Sequence, residues 1–96
     1  MAAYVIADVK VKDPEQYKQY QALSPGAIAA AGGEFVVRGG RHEVLEGQWN
    51  PNRMVVLRFP DYATAKAFYE SAKYVEARAK RAGTTEFFNM VVVEGL

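Results

Sequence analysis

The sequence contains no cysteine. Disulfides, thiol nucleophiles, thiolate zinc sites and cysteine-ligated iron–sulfur clusters are thereby excluded, and a reducing compartment suits the chain. Histidine is almost as scarce. The only one, His42, stands in an extended, charged stretch between Arg41 and Glu43. As a metal ligand it has no second imidazole, and Glu46 would lie more than about 10 Å further along an extended chain. An axial haem ligand is no better supported. There is no Gly-x-Ser-x-Gly elbow, and Gly39-Gly40 lacks the further glycines and the Lys-Ser/Thr ending of a phosphate loop. Long apolar runs are also missing. Met90 to Val93 is among the longest, far short of the roughly 20 residues that cross a bilayer. The opening Met1-Ala2-Ala3-Tyr4 has neither the basic nor the apolar region of a signal peptide, so the cytoplasm is the expected location. The formal net charge is only +1. That balance shows no footprint for nucleic acid or an anionic membrane. Neither partner is expected, nor a metal or other cofactor. The basic run Arg78-Ala79-Lys80-Arg81 reads as the last turns of a helix, where cations favour the dipole.

Half of the 96 residues are hydrophobic and 24% are charged, a globular balance in a length that predicts one domain, residues 1–96. Tyr4 to Val11 alternates as a strand, with Val5, Ala7, Val9 and Val11 opposite Tyr4, Ile6, Asp8 and Lys10. Asp13-Pro14 reads as an N-cap followed by proline at the first helical position. Tyr17, Tyr20, Ala27, Ile28 and Ala31 would form the buried stripe of that helix. Pro25 predicts a kink, or a restart capped by Ser24, and Gly32-Gly33 ends the helix. Glu34 to Arg38 is a second strand. Beyond it, Gly39-Gly40 is either a bulge in a long bent strand that resumes over Arg41 to Glu46, or the turn of a tight hairpin. The bent strand is favoured, because both halves are short. Gly47 to Asn52 is a turn, Arg53 to Phe59 a third strand, and Asp61 caps a second helix carrying Ala65, Phe68, Tyr69 and Ala72 on one face. Ser71 caps a further helical segment ending near Gly83, and Glu86 to Val93 is the last strand.

The order β-α-β-β-α-β predicts an α+β, ferredoxin-like fold. Both helical segments cover one face of a four-stranded antiparallel sheet whose first and third strands are central. The first, third and last strands carry apolar residues on both faces, Tyr4 with Ile6, Met54 with Val56, and Phe88 with Met90 among them. A sheet face left bare on that scale is rarely tolerated by a monomer, so a homodimer packed through it is expected.

Several stretches in this order resemble the domain-of-unknown-function family numbered 1330, of the dimeric α/β-barrel superfamily, over nearly the whole chain. They are Ala3-Tyr4-Val5-Ile6, Asp13-Pro14-Glu15-Gln16-Tyr17 with Tyr20, Gly32-Gly33 and Val37-Arg38-Gly39-Gly40. Leu45-Glu46-Gly47, Trp49, Phe59-Pro60, Tyr69, Ser71 with Tyr74, Arg81 and Val93-Glu94-Gly95 complete the set. The resemblance implies a ferredoxin-like protomer pairing into a barrel-like dimer, and it assigns no activity. Relatives in the wider superfamily include cofactor-free monooxygenases, lactone isomerases, haem enzymes and ligand-sensing modules, which tend to bind ligands between helices and sheet. Phe68 and Ala72 depart from the Trp and Pro that family members often carry there.

Candidate site residues are the polar groups inside these apolar elements. Asp8 and Arg58 fall mid-strand on the two central strands and would pair if they share a face, either as a plain ion pair or as a fixed device that orients a ligand. Arg38 and Arg81, on the motifs above, are either salt-bridge and helix-end residues or forks for a carboxylate or an enolate-like oxygen. Tyr17, Tyr20, Tyr69 and Tyr74 are either core residues or groups whose hydroxyls face a pocket, with Tyr20, Tyr69 and Tyr74 taken as the candidates for a ligand. Arg81 follows Tyr74 by two helical turns, with Arg78 between them, so it is expected at the rim of any pocket. The functional expectation is a protein with a small-molecule pocket, enzyme-like and independent of any cofactor (oxygenase or isomerase-like), acting on a small polar or carboxylated metabolite. A non-catalytic ligand-binding or stress-response dimer is the alternative.

Overall fold

The computed structural model describes residues Met1–Leu96. Seven elements follow one another: β1 (Ala3–Val11), α1 (Pro14–Ala30), β2 (Glu34–Arg38), β3 (Arg53–Phe59), α2 (Tyr62–Tyr69), α3 (Ala72–Arg81) and β4 (Thr85–Glu94). The strands form one sheet in the order β2-β3-β1-β4, antiparallel throughout. β1 and β3 are the central pair, as the crossover rule requires.

Each helix start is fixed by a side-chain oxygen. Asp13 accepts the Gln16 N–H at 3.1 Å, and Asp61 accepts the Thr64 N–H at 2.7 Å. Ser71 separates α2 from α3 by acting twice, donating to the Phe68 carbonyl at 2.7 Å and accepting the Tyr74 N–H at 3.3 Å. The end of α1 is a Schellman turn: Gly32 takes φ +85° and donates to Ala29, while Gly33 donates back to Ile28. Gly33 also lies against the Phe59 ring, where a Cβ would approach to 2.5 Å.

Alternation on β1 sorts the sheet into two faces. Ala3, Val5, Ala7 and Val9 are buried under the helices with Leu57 and Phe59, while Tyr20, Phe68 and Tyr74 press down from above. The opposite face carries Tyr4, Ile6 and Asp8. The register sets Ile6 beside Val56 and Val91, and Tyr4 beside Arg58 and Val93. Val91 and Val93 are exposed. On β4, Phe88 and Met90 pack on the core, so it is Val91 and Val93 that are bare on the open face.

Four further expectations are corrected. α1 continues through Pro25 without interruption, and Ser24 is a buried residue of the helix interior rather than a cap. α2 ends at Tyr69, so Tyr69 and Ala72 are exposed instead of extending its buried stripe. Gly39-Gly40 is neither the bend of a long strand nor a hairpin turn. Gly39, at φ +69°, donates to Met54 as the last bond of the β2–β3 ladder. β3 begins at Arg53, so residues 41–46 have no strand beside them in this chain and lie in no regular element. The bulge is upstream: the register passes from Phe35↔Leu57 to Val37↔Val56, leaving Val36 unmatched. Asp8 and Arg58 do share the open face but do not pair. Asp8 stands opposite Met54 and accepts the Asn52 N–H at 2.8 Å, whereas Arg58, four residues up β3, bonds Glu34 at 3.4 Å.

Candidate functional site

The space between helices and sheet is built chiefly by one face of α1. Tyr17, Tyr20, Gln21, Ser24 and Ile28 recur at helical spacing and all border a partly open cavity of about 40 Å³. From α3, Tyr74 brings its hydroxyl to 2.6 Å from that of Tyr20. The pair is the only buried hydrogen bond between two side chains. Tyr20 also meets Phe88 edge-on, with centroids 5.9 Å apart. Arg38 and Arg53 close the cavity from β2 and β3.

A larger groove, about 440 Å³, opens beside it. Val5, Phe88, Met90 and Val92 line it from the sheet, Phe68 and Tyr69 from α2, and Arg81 from the end of α3. Arg81 lays its guanidinium 3.8 Å above the Phe88 ring and 5.3 Å from the Tyr20 ring, a cation–π seat on a half-buried side chain. Its Nε is buried with no hydrogen-bond partner. Arg78 does the same over Tyr69, at 3.9 Å, and its Nε is likewise unpartnered.

The charges are uneven. The ion pairs are Lys10–Glu86, Lys18–Glu15 and Arg58–Glu34. Arg38, Arg53, Arg78 and Arg81 therefore have no carboxylate partner. Burial, reinforced by the neighbouring Tyr74, pushes the Tyr20 phenol well above its ordinary value, with Arg81 only partly offsetting it. Burial also raises Tyr17, against the opposing charges of Arg53 and Arg81. Both phenols stay protonated near neutrality. They are hydrogen-bond donors there and not bases. No carboxylate or imidazole borders the inner cavity, and no group of three acidic or histidine side chains is placed to hold a metal.

Of the residues singled out in the sequence, Tyr20, Arg38 and Tyr74 meet at the cavity, and Arg81 and Tyr69 lie at the groove. Asp8 and Arg58 are on the far face of the sheet and take no part. Tyr17, not taken as a ligand candidate, also borders the cavity. Gln21, Ser24, Arg53 and Phe88 were not singled out. The signal for two of these was legible: Gln21 and Ser24 are polar residues at i+4 and i+7 from Tyr17, on a stripe otherwise apolar.

A four-stranded antiparallel sheet ordered β2-β3-β1-β4, with its helices on one face and a cavity between the layers, defines a ferredoxin-like α+β protein. The chain belongs to the family described as domain of unknown function (DUF1330), which it matches over residues 2–96. No curated protein matches it. Among solved structures it is similar to a protein of unknown function from Rhodopseudomonas palustris, at 18% identity and a TM-score of 0.77, covering 99% of this chain and 82% of that one. It is also similar to a dimeric ferredoxin-like protein of unknown function from Thermobifida fusca, at 16% identity and 0.64, covering 99% and 92%. A third likeness is to SnoaB, a cofactor-independent oxygenase from Streptomyces nogalater, at 13% identity and 0.65, covering 99% and 93%. At these identities the likeness is one of fold.

Proposed function

We propose that two copies of this chain pair through the open sheet face, and that each protomer binds a small carboxylated molecule between its helices and sheet. The observation that carries the reading is Arg81. Its guanidinium sits in a 440 Å³ groove with an apolar floor and with Lys66 and Glu70 also in its lining, its Nε is buried and unpartnered, and it forms no ion pair with any carboxylate. A guanidinium held in that way is a fork for a carboxylate, and the apolar floor suits the body of the ligand. Beyond Phe88 the Tyr20–Tyr74 pair leaves one hydroxyl proton outside its mutual bond, a donor of the kind that stabilises an enolate-like oxygen. Such a donor, with no base at the cavity, suits cofactor-independent chemistry on a substrate that ionises readily by itself. The oxygenase with the same fold works without a cofactor, which is compatible with that chemistry. The absence of a base also supports a second reading, in which the ligand is held and never turned over.

The dimer rests on the apolar open face and on the dimeric state of the Thermobifida fusca protein. The ligand is tested by thermal shift with octanoate and benzoate against their methyl esters. The acids are expected to raise the midpoint in wild type, with much weaker effect in Arg81→Gln and no effect from the esters. Equal response to acid and ester would refute the carboxylate assignment. Ligand recovered unchanged after prolonged incubation in air would favour the second reading.

A further inference from the structure

The bulge at Val36 has a directional effect. Strand residues alternate between faces, so without it Arg38 would share the open face with Glu34. One extra residue reverses the parity, and Arg38 pairs instead with Val55, a residue of the helix-covered face. Arg53 stands opposite the buried Val9 and so shares that covered face. Two arginines from neighbouring strands thus line the same cavity. Gly39 completes the arrangement. A Cβ there would lie 2.8 Å from Arg53 Nε and 3.0 Å from Nη2, so the guanidinium occupies the room that a side chain would take. Arg38 rests on the Phe35 ring, 4.4 Å from its centroid. Neither arginine has a carboxylate partner. Tyr17 and Gln21 add polar groups to the lining of the same cavity.

We propose that Arg38 and Arg53 form a second anion subsite, so that the ligand is a dianion carrying one acidic group at Arg81 and another at the β2–β3 end of the cavity. The proposal rests on the carboxylate reading of Arg81 given above. The size agrees: about 40 Å³ holds roughly three water-sized groups, the bulk of one carboxylate. Val5, Phe88 and Met90 border both the cavity and the groove. The two subsites therefore lie on either side of one shared partition of side chains. Arg81 stacks on Phe88 in that partition at 3.8 Å, so the proposal requires the Phe88 ring to move when a diacid spans both subsites.

Calorimetric titration of the intact protein with octanoate and with suberate, and with hexanoate and adipate, tests this. The diacid is expected to bind at least about tenfold more tightly than the matched monoacid, the effect of one further charge-assisted fork. In Arg53→Gln, and separately in Arg38→Gln, the diacid should fall to the level of the monoacid while monoacid binding stays unchanged. Arg81→Gln should weaken both acids, and Arg53→Lys should restore part of the preference. Diacid binding no tighter than monoacid binding in wild type overturns the second subsite and leaves the Arg81 reading standing. Equal loss of both acids in Arg53→Gln, at retained circular dichroism, also overturns it. Binding of neither acid overturns both readings.

Discussion

Tyr20 and Tyr74 show why a polar pair deep in a core is tolerated. Each phenol buries an aromatic ring and satisfies its hydroxyl against the other at 2.6 Å. Removing one partner leaves a buried hydroxyl without a bond, at a cost of about 1–3 kcal/mol; removing both leaves nothing unsatisfied. Tyr74→Phe and Tyr20→Phe should therefore each lower the midpoint of urea unfolding, and the double variant should be less destabilised than the sum of the two. Strict additivity in that cycle would show that the hydroxyls do not depend on each other. The same residues explain the limits of the sequence reading. Helical periodicity marks Tyr17 and Tyr20 as inward-facing, but it does not tell a ring that fills the core from one that borders a cavity. That difference is set by what the sheet places opposite, and Arg53, Arg38 and Phe88 come from strands far away in the chain.

At the scale of elements, local chemistry was legible and pairing was not. The caps at Asp13, Asp61 and Ser71 and the stop at Gly32-Gly33 depend on bonds that span five residues or fewer, and all form where the residue types indicate. Residues 41–46 look extended by composition, yet a strand needs a neighbour, and β3 begins too late to supply one. The parity change at Val36 has no compositional mark, so the direction of Arg38 could not be read. The Asp61 cap carries a pH signature. Hydrogen bonds from Thr64 hold the Asp61 carboxyl below its ordinary value. A folded-state value depressed in this way adds stability that is present above the unfolded carboxyl value, around pH 4, and is lost as pH falls through the lower folded value. The stability gap between wild type and Asp61→Asn, followed by urea unfolding, should be constant near neutrality and close below about pH 4. A gap unchanged down to pH 2 would contradict the cap. Asp13→Ala should cost about 1 kcal/mol at neutral pH.

For the molecule as a whole, the proposed pairing rests on the open face. Ile6, Val56 and Val91 adjoin one another across three strands, with Tyr4 and Val93 beside them. Ile6→Lys or Val56→Glu would leave an unpaired charge in the proposed interface. Sedimentation at micromolar concentration should show wild type at twice the mass of one chain and each variant at or near one, or unfolded. Wild type sedimenting as a monomer would refute the pairing.

The Tyr20–Tyr74 contact also joins parts of the chain 54 residues apart. Tyr20 belongs to the first β-α unit and Tyr74 to the second, so their bond forms only when the two units have docked, after the entropy of a long loop has been lost. Folding rate and unfolding rate should then respond differently to its removal. In Tyr74→Phe the folding limb of the chevron should scarcely move, while unfolding accelerates by most of the lost stability. The pair would act as a late latch, governing how long the native state lasts more than how quickly it is reached.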